Sequence, residues 1–176
     1  VDTVLSLYIL VVLLRVILQL VHADFMNPVS QFVWQITRAP VNLLRNVIPR
    51  YRNWDMPALV FVFILCYALI EAILALGAPG YGPQFIPAVA WAILKAATLL
   101  CNLYFFTLII QAVMSWFSPN QYSPATAILF TINEPLLRPV RRVIPSFSGI
   151  DLSPLVVIIG LQLVSRLLPL PGLQGW

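Results

Sequence analysis

The chain has 176 residues, 61% of them hydrophobic and 9% charged, with a net charge of +4 and mean hydropathy of +0.93. A soluble domain carries roughly 25% charged residues, so this composition excludes a soluble fold and indicates one integral membrane domain. The basic balance does not point to nucleic acid, because the arginines flank apolar stretches and have no aromatic platform among them.

Four apolar stretches follow in chain order: Thr3–Val21, Pro57–Leu76, Ala88–Phe117 and Leu152–Leu168. Each approaches the roughly 20 residues that a helix needs to cross a bilayer. The first lacks an Ala-x-Ala cleavage site and its counterpart is internal, so it is expected to be a span and not a signal peptide. The third is longer than a crossing requires, so it either tilts or begins as an interfacial turn near Trp91 and Lys95. Between stretches one and two, Val29, Phe32, Val33 and Ile36 are expected on one helical face, with Gln31, Gln35 and Arg38 opposite. Pro40 is expected to break this segment, and Glu134-Pro135 to break its equivalent, where Ala125, Ile128, Leu129 and Ile132 form the apolar face.

That equivalence is general. Displaced by 96 positions, the chain aligns with itself: Tyr8 meets Tyr104, Pro28 meets Pro124, Ile36 meets Ile132, Arg45 meets Arg141 and Asp55 meets Asp151. A repeat of this length marks a duplicated unit. The sequence therefore predicts an all-α membrane protein with four transmembrane helices. They form two parallel repeats about a pseudo-twofold axis, each with a broken amphipathic interfacial helix between its spans. Residues 1–77 form the first repeat, 78–90 an extracytoplasmic linker and 91–176 the second repeat.

Loop 29–52 carries Arg38, Arg45, Arg50 and Arg52, and loop 125–148 carries Arg138, Arg141 and Arg142, whereas the Ala78–Gly82 turn is uncharged. The positive-inside rule puts both basic loops in the cytoplasm and both termini outside. Arg45, Arg138, Arg141 and Arg142 are candidate contacts for anionic lipid or a partner.

Polar residues within the spans are the other candidates. Arg15, Gln19 and His22 form a stripe on span one, matched by Gln111, Ser115 and Ser118 on span three. The stripes either bond the halves together or line a hydrated path, while Arg15 also lies close enough to the span's end to snorkel. Glu71 and Arg166 either pair or reach the outer headgroups separately. Asp55 and Asp151 are expected to cap the helices that follow them. Cys66 and Cys101 read as small hydrophobes, and a lone His22 cannot build a metal or haem site. No phosphate loop, HExxH or Ser/His/Asp set is present, so neither a cofactor nor an enzyme is expected.

The run from Asn133 to Pro145, followed by Gly149-Ile150-Asp151-Leu152-Ser153-Pro154, resembles the signature of the YggT family. The first copy matches at Asn27-Pro28, Ser30-Gln31-Phe32, Arg45, Val47-Ile48-Pro49 and Asp55, but has Arg38-Ala39 where Glu-Pro would stand. The resemblance implies a small bacterial inner-membrane protein associated with osmotic-stress tolerance, and relatives are linked to cell-division gene clusters or assembly of a membrane complex. It implies no catalytic residue. Two readings follow: a scaffold or assembly factor whose loops engage anionic lipid and a membrane protein or a second copy, and an oligomeric ion or osmolyte conduit lined by the stripes. Under the first, the second loop is the better docking candidate.

Overall fold

The computed structural model describes residues 2–49, 54–77, 85–117, 123–144 and 151–168. They form six α-helices: α1 (Asp2–Leu20), α2 (Pro28–Arg45), α3 (Met56–Gly77), α4 (Phe85–Phe117), α5 (Pro124–Val143) and α6 (Ser153–Leu167). No strand occurs among the described residues.

Three helices are long and apolar enough to cross a membrane, over Thr3–Leu20, Met56–Ala75 and Pro87–Met114. The fourth expected span is α6, which is apolar but has only 15 residues, about 22 Å of helix. Ile64, Phe106, Ile110, Ile159 and Leu163 stay exposed on these helices. Such open apolar surface suits acyl chains and would be a liability in water.

The two halves pack alike. In the first, α1, α2 and α3 contact one another, and in the second α4, α5 and α6 do the same. The halves join where α4 meets α1 and α3, and where α2 meets α5. A core of Ile9, Val12, Val16, Val33, Val62, Cys66, Leu99 and Ile132 runs across the join. At its edge, Asn27 caps α2 by accepting the Val29 N–H (3.0 Å) and donates its amide to the Pro124 carbonyl (2.7 Å). One side chain thus starts α2 and ties it to the start of α5.

One expectation fails on both connecting helices. Neither is broken: α2 runs through Pro40, and α5 runs through both Pro135 and Pro139. Each proline removes one backbone bond, yet buried residues on both sides (Thr37 and Val41, Ile132 and Leu137) anchor the helix across the gap. The apolar face expected on α2 divides between the core and the surface. Ser30, Val33, Thr37 and Val41 are buried, while Phe32 and Ile36 are exposed. In a bilayer an apolar side chain gains nothing by choosing protein over lipid, whereas a polar one needs a partner. The polar residues therefore turn inward. On α5, Ile128 and Ile132 are buried as expected, joined by Asn133 and Leu137, while Ala125 is exposed.

α1 ends in a turn that satisfies its last carbonyls. His22 N–H donates to Gln19 O (3.2 Å) and Ala23 N–H to Leu18 O (2.9 Å), which puts His22 at φ 53. A left-handed conformation costs a β-carbon-bearing residue about 1–2 kcal/mol, part of which glycine avoids.

Candidate functional site: paired polar clusters at the ends of α1 and α4

Arg15 faces inward from the last turns of α1 and is 5% exposed. Its Nε lies 3.2 Å from Asp55 Oδ2, and its Nη1 donates to Thr37 Oγ1 at 2.9 Å. Thr37 in turn donates to Val33 O at 2.7 Å, the habit of a helical threonine one turn on. Arg45, from the last turn of α2, brings Nη2 to 3.6 Å from the same Asp55 oxygen. One guanidinium therefore joins all three helices of the first half, around a carboxylate that is 1% exposed.

The repeat carries this cluster to Gln111, Asn133, Arg141 and Asp151, and the chemistry changes. Asn133 is fully buried; its Nδ2 donates to Gln111 Oε1 (2.7 Å), and its Oδ1 lies 2.8 Å from Thr107 Oγ1. The ions have moved outward: Arg141 Nε meets Asp151 Oδ2 at 2.8 Å and Nη1 meets Glu134 Oε2 at 2.9 Å, with both carboxylates well exposed. The first cluster is buried and charged, the second buried and neutral with a solvated ion pair beside it.

The expected caps behave differently. Asp151 Oδ1 accepts the Ser153 N–H at the first residue of α6 (2.9 Å). Asp55 caps α3 only through its backbone carbonyl, which accepts the Leu59 N–H (3.0 Å). Its Oδ2 serves the arginines and its Oδ1 has no hydrogen-bond partner, because a buried guanidinium competes better for a carboxylate than a helix N–H does.

Partial burial pushes the Asp151 carboxyl up, but hydrogen bonds from Ser153 and the charge of Arg141 outweigh this and hold it below its ordinary value of 3.8. A carboxylate with a depressed folded value stabilises above its unfolded value, and loses that contribution as pH falls through the lower one. Stability of the wild type should therefore drop more steeply below about pH 4 than that of Asp151→Asn, as measured by thermal melts across an acid series.

The remaining candidates disperse. Gln19 is half-buried and His22 is exposed at the turn after α1, so the Arg15 stripe divides between the core and the helix end. The Ser115 side chain, Ser118, Arg50 and Arg52 lie outside the described residues. Glu71 accepts the Tyr67 hydroxyl one turn earlier on α3 (2.9 Å), whereas Arg166 is exposed on α6, and no ion pair joins the two. Arg138 and Arg142 are exposed on α5. Among the described residues, no three His, Cys, Asp or Glu side chains gather as metal ligands. Sequence reasoning missed Thr37 and Thr107, and singled out Asn133 and Glu134 only as parts of the family signature and of the expected break, without a role in a cluster. The 96-residue register offered the signal, since it aligns Arg15 with Gln111 and Thr37 with Asn133, polar at both positions in both copies.

An uncharacterized protein of Pseudomonas aeruginosa is 39% identical over 166 residues, covering 94% of this chain and 84% of the relative. The YggT protein of Escherichia coli K12 is 37% identical over 164 residues, 93% of this chain and 84% of that protein. The ycf19 protein of Guillardia theta is 32% identical over 75 residues, which is 42% of this chain but 82% of the relative. No solved structure matches the chain. The CCB3/YggT family model matches twice, over residues 1–76 and 90–171, so the chain belongs to the CCB3/YggT family.

Proposed function

We propose that this protein is a non-enzymatic accessory or assembly factor of the bacterial inner membrane, in keeping with the osmotic-stress association of the family it resembles. In this reading α6 supplies a fourth, short span, both termini lie outside, and α2 and α5 lie at the cytoplasmic face as contact surfaces for anionic lipid and a membrane-protein partner. One observation carries it: α2 and α5 leave basic and apolar side chains exposed together, at ends of the two halves that the Asn27–Pro124 bond brings side by side. The first connection leaves Phe32, Leu43 and Val47 open on one side and Arg38 on another, and the second leaves Phe130 and Val143 open together with Arg138 and Arg142. Such helices lie in the interface and recruit both lipid and protein. The intramembrane polar groups offer the conduit reading no support, since Arg15 and Gln111 are buried and bonded to neighbouring helices.

The test is recovery of the tagged protein from native membranes with its partners cross-linked. Arg138→Gln with Arg142→Gln should strongly reduce the recovered partner while insertion topology, checked by cysteine labelling, stays unchanged. Full retention of every partner by the double variant would sink the proposal.

A further inference from the structure

The two connecting helices are equivalent in sequence, yet the fold uses them differently, and the difference separates their ligands. Along α2 and the turn that follows it, Phe32, Ile36, Leu43 and Val47 are open apolar residues, with Phe32 62% and Leu43 72% exposed. The residues that replace Phe32 and Ile36 in the second copy, Ile128 and Ile132, are 5% and 1% exposed and belong to the core. The first half thus leaves Phe32 and Ile36 open to acyl chains where the second buries their counterparts, whereas Val47 and its counterpart Val143 are both exposed.

Charge divides the same way. Around α5, three arginines (Arg138, Arg141, Arg142) stand against two carboxylates, and Arg141 satisfies both. Around α2, Arg15 and Arg45 share the single Asp55 carboxylate, while Asp24, ahead of the helix, accepts the Met26 N–H. Arg15 takes the close contact with Asp55, so Arg45 is held at 3.6 Å, with its Nε and Nη2 making no hydrogen bond. Arg38 occupies the position where the second copy has Glu134, forms no salt bridge among the described residues, and lies 5.6 Å over the Trp34 ring. Arg38 and Arg45 are seven residues apart, so they share one side of α2, about 10 Å apart along the axis and about 120–180° round from the open apolar residues of the helix. Under-neutralised cations on one side, open apolar groups on the other and a half-exposed tryptophan beside them are the features of a helix that sits at the phosphate level of a bilayer.

We infer that α2 is a binding surface for an acidic glycerophospholipid, with Arg38 and Arg45 facing the headgroup phosphate and Phe32, Ile36 and Leu43 against the acyl chains. α5, with Arg141 engaged by Glu134 and Asp151 and with Ile128 and Ile132 buried, is the weaker lipid surface of the two. The inference rests on the interfacial placement of α2 in the proposed function, but not on the identity of any protein partner.

Native mass spectrometry of the purified full chain in micelles tests it, by titrating phosphatidylglycerol and phosphatidylcholine of matched acyl chains. The wild type should bind phosphatidylglycerol in preference. Arg38→Gln should lower that preference about fivefold, and Arg38→Gln with Arg45→Gln about twentyfold or more. Arg138→Gln with Arg142→Gln should change it by less than about twofold. Because Arg45 also faces buried Asp55, Arg38→Gln is the decisive variant, as Arg38 is exposed and lies over the Trp34 ring, away from that carboxylate. Phe32→Gln with Ile36→Gln should weaken both lipids equally, and excess inorganic phosphate should not displace the lipid. The inference fails if the wild type shows no headgroup preference, if Arg38→Gln leaves the preference intact, if the α5 variant abolishes it, or if inorganic phosphate alone competes. Partner recovery is a separate readout: loss of lipid preference in Arg38→Gln with partner retained keeps the two proposals apart.

Discussion

Replacing Asp55 with Asn is expected to destabilise the fold by about 3–5 kcal/mol, the usual cost of stranding a buried charge. Asparagine fills the same volume and still offers an oxygen to Arg15, but it leaves the 5%-exposed guanidinium, and Arg45 behind it, without a counter-charge. Chemical unfolding in micelles gives the magnitude, and Asp151→Asn supplies the contrast. Its carboxylate is 40% exposed, so water replaces much of what Arg141 loses, and the change should stay within about 1 kcal/mol. Equal losses at the two equivalent aspartates would show that burial does not distinguish the clusters. Removing both charges with Arg15→Leu and Asp55→Leu should cost much less than Asp55→Asn alone, because a buried ion pair is dear to break yet often near-neutral to replace. A cycle with no positive coupling would contradict the pair.

Asn133→Ala is the second large effect, expected at about 2–4 kcal/mol from a small cavity and two orphaned polar side chains. Asn133 is fully buried and bridges Thr107 to Gln111, so truncation removes a partner from each. Asn133→Thr installs the residue that the first copy has at this position. Its hydroxyl can donate to the Leu129 carbonyl four residues back, as Thr37 does to Val33, and still accept from Thr107, while the bond given to Gln111 is lost. It should therefore lose about half as much as Ala. Unfolding curves for the two variants check the order, and an Ala variant as stable as Thr would mean that the network contributes little.

The parts of the fold legible in the sequence were those set by local composition. Apolar runs gave α1, α3 and α4 to within a few residues, because a span needs only length and hydropathy. The arginine-rich connections were also recognised as helical and amphipathic. The prolines misled, since a missing backbone bond at Pro40 or Pro135 is a local cost that packing on both sides of it outweighs. Which residues of α2 turn inward was not legible for a different reason: hydrophobicity orients a helix in water, but in lipid the polar groups choose the side. Arg15 and Asp55 were both singled out, yet as a stripe residue and a cap, because no local pattern joins residues 40 apart.

By itself, then, the sequence determined a duplicated, helical, membrane-embedded chain with basic connections, since hydropathy, charge and repetition are properties of residues taken one stretch at a time. Only the tertiary structure decided that the two copies have different interiors. It closed Arg15, Thr37, Arg45 and Asp55 into one buried charged cluster and put neutral Gln111 and Asn133 in the matching place, with Arg141 and Asp151 left in solvent. Whether an ion pair is buried or exposed depends on which helices enclose it, and that enclosure is a property of packing that no single stretch of sequence contains.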